Sequence, residues 1–171
     1  YRLVFGESDG LPGLIVDRYD DLLCVQITTA GMERVRGEIL AALEQVIRPK
    51  AIVLRNDTSV RELEGLEQGV EIVLGQPEDS LTLIEHELEF EVSPLTGQKT
   101  GWFFDQAENR SRLARYGVGN RVLDVCSYIG AWGVRAAALG AEEVLCIDSA
   151  QPALERVAAN AARNRLEQRV Q

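Results

Sequence analysis

The feature that most constrains this chain is the stretch from Arg121 to Gly130, where a short apolar run passes into a small-residue turn and then a helix. Val122, Leu123 and Val125 form the run, Asp124 lies near its carboxyl end, and Ala131 to Leu139 is a helix-compatible segment closed by Gly140. A second strand is predicted from Glu143 to Ile147, ending on Asp148, and a helix from Pro152 to Arg165. In that helix Leu154, Val157, Ala158 and Ala161 form a narrow apolar stripe. Strands alternating with helices require a parallel, doubly wound sheet, which takes ligands at the carboxyl ends of its strands. An acidic residue about 20 positions past the first βα turn is where such sheets receive ribose hydroxyls. Asp124 and Asp148 thus bracket a nucleotide-type cofactor.

The turn discriminates between cofactors. A dinucleotide pyrophosphate needs bare backbone pressed against it, hence the glycines of G-x-G-x-x-G. Here Cys126, Ser127, Tyr128 and Ile129 precede a single glycine, Gly130. S-adenosylmethionine (SAM) carries no phosphate, so one glycine with small or polar neighbours suffices. SAM is therefore favoured over NAD, and an NAD-dependent oxidoreductase and a non-catalytic RNA-adaptor or scaffold module are the alternatives. The string from Gly97 to Gly101 lacks the G-x-x-x-x-G-K-[ST] order and a following helix, which argues against nucleoside triphosphate binding.

Three blocks carry a family resemblance: Lys99-Thr100-Gly101-Trp102-Phe103-Phe104-Asp105-Gln106-Ala107-Glu108-Asn109-Arg110, then Leu123 to Gly130, then Asp148-Ser149 with Asn160 downstream. Over nearly the whole chain the sequence resembles the bacterial class I SAM-dependent methyltransferases that make 5-methylcytosine in 23S ribosomal RNA. It departs from them at Cys126, Ile129 and Trp132. The resemblance implies a Rossmann-like α/β methyltransferase domain, of which residues 94–171 are the first half, preceded by a small α+β domain over residues 1–93. It implies SAM contacts from Lys99, Phe104, Asp105, Gln106, Arg110, Asp124, Ser127, Tyr128, Gly130, Asp148 and Ser149, and ribosomal RNA as partner. It further implies an RNA-binding domain ahead of Tyr1 and a catalytic cysteine beyond Gln171, so that the 171 residues alone are expected to methylate nothing.

Charge agrees with that division of labour. The chain has 18 Lys and Arg against 27 Asp and Glu, a net charge of −9, whereas nucleic acid selects a basic face. No apolar run reaches membrane-spanning length and no signal peptide opens the chain, so a cytoplasmic location is expected. Cys24, Cys126 and Cys146 are far apart and form no C-x-x-C pair, which predicts neither disulfides nor a zinc site.

In the first half, Tyr1 to Phe5, Leu14 to Tyr19, Leu22 to Thr28, Ala51 to Arg55 and Val70 to Leu74 read as strands. Leu23, Val25 and Ile27 predict one core face, and the spacing from Met32 to Ile47 predicts one amphipathic helix stopped by Pro49. Leu81 to Val92 reads as two strands meeting near His86, a solvated turn residue. Trp102 to Phe104 reads as an aromatic strand, and Asp105 with Glu108 as the capping box of the next helix. Cys126 is the tempting nucleophile, since methylation at C5 of cytosine needs a thiolate, but it belongs to the cofactor turn. Asp148, at a strand end lining a cleft, is expected to be replaceable by Ala without harm to the fold.

Overall fold

The chain passes three times between two compact units, residues 1–79 with 93–104 and residues 80–92 with 105–171, in a computed structural model that describes residues 1–171. The first unit is built on the alternating apolar runs of its sequence. β1 (Arg2–Phe5), β2 (Leu14–Tyr19), β3 (Leu22–Ile27), β4 (Ala51–Arg55) and β5 (Val70–Leu74) form one sheet in that order. All neighbours are antiparallel except β3 and β4, which are parallel and need a crossover. The crossover is helical, α1 (Ala30–Arg34) and α2 (Arg36–Ile47), and a short α3 (Val60–Leu63) follows β4 in the chain. Leu40 and the partly buried Ile39 and Leu43 of α2 pack on Leu14, Val16, Leu23, Val25, Ile27, Ile52 and Leu54.

Two expectations are corrected here. The single helix is two, broken at Val35; the break keeps its hydrogen bonds, because Val35 N–H donates to Met32 O and Ile39 N–H to Val35 O. β3 is buried along its whole length rather than on one face. It lies inside the sheet, with the helices on one face and the segment 93–104 tied to polar residues of the other, Asp17, Tyr19 and Arg55.

That segment is not a strand at Trp102 to Phe104. Its backbone turns at Lys99, φ +52°, and at Gly101, φ +104°, and Gly101 N–H closes a turn on Gln98 O. A Cβ at Gly101 would lie 2.7 Å from Ser93 O, so only glycine fits this approach. The aromatic residues serve packing: Trp102 is 1% exposed, and the Phe104 ring lies 5.2 Å from that of Tyr19.

The second unit holds the hairpin β6 (Leu81–Glu85) and β7 (Leu88–Val92), then α4 (Ala107–Tyr116), β8 (Arg121–Val125), α5 (Ala131–Ala138), β9 (Glu143–Ile147) and α6 (Gln151–Arg163). β8 and β9 are parallel, in register from Arg121 with Glu143 to Val125 with Ile147, and Val170 adds a parallel bridge to Val144. Two βα units on a parallel pair are the Rossmann-like α/β architecture expected from the alternation of elements. One sheet face is sealed by α5 and α6; the other leaves Leu123, Val125, Leu145 and Ile147 exposed.

Contacts divide the chain differently from a single cut between residues 93 and 94. The hairpin belongs with the second unit because α6 satisfies its edge: Glu91 N–H donates to Asn160 Oδ1 at 2.8 Å and Glu89 N–H to Asn164 Oδ1 at 2.9 Å. The buried stripe of α6 is accordingly Ala153, Val157, Asn160 and Ala161, with Ala158 exposed. A 3-10 turn over Phe104–Gln106 replaces the predicted capping box, and Glu108 pairs forward with Arg112 instead. No helix is long and apolar enough to cross a membrane, and no three His, Cys, Asp or Glu side chains gather as metal ligands would.

Candidate cofactor site

The turn after β8 is made of left-handed residues at alternate positions: Cys126 at φ +61°, Tyr128 at +50° and Gly130 at +82°. Only the last is glycine. For an L-residue this conformation costs roughly 1 to 2 kcal/mol, so surrounding bonds must hold it. Ser127 N–H donates to Ile147 O at 3.0 Å, Tyr128 N–H to Asp148 Oδ2 at 2.8 Å, and Gly130 N–H to Ser127 O at 2.9 Å. From below, Asn160 Nδ2 donates to Ile129 O at 3.0 Å. Asn160 is fully buried and ties the β7 edge to the turn, one amide serving both. A polar residue inside an apolar helical stripe was the sequence signal for it.

Asp148 is a fastener as well as a strand end. Its two oxygens take the amides of Tyr128 and Ala150, the second at 3.0 Å. The expectation that Asp148→Ala would spare the fold is therefore corrected: the substitution frees two backbone donors and loosens a strained turn.

Asp124 is held differently. Its Oδ2 accepts from Gly133 N–H at 2.9 Å, and neither Asp124 nor Asp148 meets a guanidinium or ammonium group. Burial, and secondarily the Asp148 charge, hold the Asp124 carboxyl above the usual carboxylate range against the pull of the Gly133 bond. Gly133 itself is a site residue the sequence reading missed. A Cβ there would come 2.5 Å from Cys146 Sγ and 3.3 Å from Asp124 Oδ2, so glycine lets α5 close on the strands and reach the carboxylate. An isolated glycine inside a helical pattern was its only signal.

The sequence candidates thus fall into groups. Asp124, Ser127, Tyr128, Gly130, Asp148 and Ser149 come together at the carboxyl ends of β8 and β9. Of these, Asp124 alone lines a cleft of about 370 Å³, whose walls also include Leu113, Leu123, Cys126 and Trp132. Arg110 is buried in a two-point ion pair with Glu85 of β6, at 2.5 and 2.8 Å, and so is engaged away from the turn. Gln106 bonds to Asn109 and to its neighbour Asp105. Lys99 and Phe104 belong to the first unit, where Lys99 Nζ stands 4.5 Å over the Phe103 ring. Of the cysteines, Cys126 is exposed; burial pushes the Cys24 thiol up to about 12, and burial with the Asp124 charge does the same to Cys146.

With this geometry in hand, comparison with known proteins is specific. The sequence pattern of the S-adenosylmethionine-dependent methyltransferases matches residues 23–169. The ribosomal RNA large subunit methyltransferase I of Erwinia tasmaniensis is 40% identical over 168 residues, which are 98% of this chain and 42% of that protein. The chain thus spans about two fifths of the length of this relative. A Streptococcus mutans protein provisionally assigned as a SAM-dependent methyltransferase superposes with a TM-score of 0.82 at 24% identity, covering 99% of this chain and 44% of its own. A further solved methyltransferase, also provisionally assigned and complexed with S-adenosylhomocysteine (SAH), gives 0.81 at 24% identity over 99% of this chain and 44% of its own. These two structures share the fold.

Proposed function

The chain belongs to the S-adenosylmethionine-dependent methyltransferase family, and on that premise we propose that it binds SAM at the carboxyl ends of β8 and β9. The enzyme it serves methylates large-subunit ribosomal RNA, at C5 of a cytosine. The RNA rests on the 40% identical relative, whose name specifies the large ribosomal subunit; the cytosine carbon rests on the K-T-G-W-F-F-D-Q resemblance.

One observation carries the cofactor reading: Asp124 and Asp148 end adjacent strands with backbone amides as their partners and no cation. SAM bears a sulfonium and an ammonium against one carboxylate, a net positive charge that such a pair attracts. When bound, SAM supplies the methyl group on its sulfonium. Asp148 accepts the ribose hydroxyls with lone pairs beyond those used by Tyr128 and Ala150, Asp124 balances the positive charge, and Ser127, Tyr128, Gly130 and Ser149 border the cofactor. Asp105 and Gln106 join the contact set on the resemblance of their block. The thiolate that C5 transfer requires comes from none of the three cysteines: Cys24 and Cys146 are buried and held protonated, and Cys126 is part of the turn.

Titration calorimetry of the complete gene product with SAM and with NAD tests the first step, and NAD binding without SAM binding would sink it. Incubation with unmodified 23S RNA and methyl-labelled SAM, followed by bisulfite mapping, tests the second. A label on a ring nitrogen would keep the family and remove the cytosine-5 assignment.

A further inference from the structure

Within the second unit, α6 meets the edge of β7 with two asparagines, and the two are used differently. Residues four apart on a helix rise by about 6 Å, and residues two apart on a strand by about 6.8 Å, so Asn160 and Asn164 stand opposite Glu91 and Glu89. Each accepts the amide it faces: Asn160 Oδ1 from Glu91 N–H at 2.8 Å, and Asn164 Oδ1 from Glu89 N–H at 2.9 Å. Asn164 returns its Nδ2 to the same strand, donating to Glu89 O at 2.7 Å. Asn160 does not. Its Nδ2 donates to Ile129 O at 3.0 Å, in the turn after β8. A residue needed only to cover an edge would pair as Asn164 does.

Ile129 O needs that donor for a local reason. Ile129 is 1% exposed, and a buried carbonyl without a partner is costly. Its helical donor would be the N–H four residues on. That is Gly133 N–H, which donates to Asp124 Oδ2 at 2.9 Å instead. One N–H is thus open to two acceptors, and Asn160, by satisfying Ile129 O, leaves it to Asp124. Without Asn160, Ile129 O is free to draw Gly133 N–H into the helix and away from the carboxylate. The same face of α6 braces the turn by contact, since a Cβ at Gly130 would lie 3.1 Å from a methyl of Val157, three residues before Asn160. Tyr128 and Gly130, on either side of Ile129, are both left-handed, and such strain persists only where the surroundings over-determine it.

We propose that Asn160 is a positioning residue for the cofactor: held by the β6–β7 hairpin through Glu91 N–H, it satisfies Ile129 O, keeps Gly133 N–H on Asp124 and fixes the turn in its left-handed form. This rests on the reading of that turn and Asp124 as the SAM site. A turn ordered before the ligand arrives raises affinity without adding a contact.

The test is SAM titration on the complete gene product and on its N160A and N164A variants, with hydrogen exchange read by mass spectrometry over residues 126–133 and a melting curve for each. N160A is expected to weaken SAM about fivefold, the worth of one net hydrogen bond, and to speed exchange across the turn. N164A, which unties the same hairpin edge without reaching the turn, is expected to lower the melting temperature while leaving SAM affinity and turn exchange as in the parent. A parent that binds no SAM overturns the cofactor reading and the proposal with it. A parent that binds, beside an N160A whose affinity matches that of N164A, overturns the positioning role alone. Affinity lost in N160A without faster exchange at the turn overturns it too. Should N160A fail to fold, N160D, which keeps the volume and the acceptor for Glu91 N–H and loses only the donor to Ile129 O, carries the same comparison with N164A. Failure of both to fold beside a folded N164A would make Asn160 a core residue and overturn the proposal.

Discussion

Asp17 of the first unit and Asp124 of the second are both strand carboxylates, the first wholly buried and the second half-buried, and they are held in opposite ways. Arg2 and Thr100 between them engage both oxygens of Asp17, which is wholly buried. Asp124 receives one backbone amide, from Gly133, and feels the like charge of Asp148. A buried charge left unpaired costs far more than one with a well-placed counter-ion. A carboxylate compensated by its own fold is a fastener, whereas one left uncompensated at a strand end is disposed to receive a cation. The first unit uses its buried ionic groups to fix a loop, and the second leaves its pair with backbone amides and no counter-ion.

The comparison breaks most visibly at the compensated end. Asp17→Ala takes the carboxylate away from the Arg2 guanidinium and the Thr100 hydroxyl, and removing one partner of a buried pair costs about 3 to 5 kcal/mol. Urea unfolding should report that loss as a lowered midpoint at unchanged slope; a cost under about 1 kcal/mol would mean that the pair is worth no more than a surface one. The next effect is at Asp148, which combines both roles. Asp148→Ala should weaken SAM binding by roughly 1.5 to 3 kcal/mol, the range for hydrogen bonds to charged groups, and should also lower the melting temperature through the Tyr128 and Ala150 amides. Asp148→Asn, which keeps a carbonyl acceptor, should recover stability more than affinity. SAM affinity equal to the parent's in both would take Asp148 out of the site.

The smallest effect sharpens the contrast by its sign. Burial raises the Asp124 pKa in the folded state above its ordinary value of 3.8. The folded state therefore favours the protonated form: the stabilisation is fully present below the unfolded value and is lost as pH rises through the folded one. Near neutrality the fold carries the full cost of the charge. Asp124→Asn keeps an acceptor for Gly133 and removes that cost, so melting curves from pH 3 to 7 should show the variant gaining on the parent as pH rises. Its SAM affinity should fall, the exchange of stability for function expected of an uncompensated site. A variant less stable than the parent at neutral pH would show that the Gly133 bond, not burial, dominates.

Much of the fold was legible locally. β8 and β9 begin and end where their apolar runs do, because a parallel strand packed by helices needs little beyond its own residues to be recognised. The acidic ends and the lone glycine of the turn were legible for the same reason. Trp102 to Phe104 was not, since alternating aromatics satisfy a strand pattern whether or not a partner strand is present, and here Gly101 and the tethers on Thr100 bend the chain instead. Neither were the contacts of Asn160, whose partners in β7 and at Ile129 lie 69 and 31 residues away.

Asp17 and Asp124 read alike in the sequence, each following two apolar residues, Ile15-Val16 and Val122-Leu123. The sequence by itself determined that each would be a carboxylate on a strand, because alternation and β-branching act over a few residues. Which of them would be neutralised was decided only by the tertiary structure, which brings Thr100 across 83 residues to Asp17 and sets no cation beside Asp124. The state of a buried charge depends on the groups within a few ångströms of it, and those are chosen by the path of the whole chain.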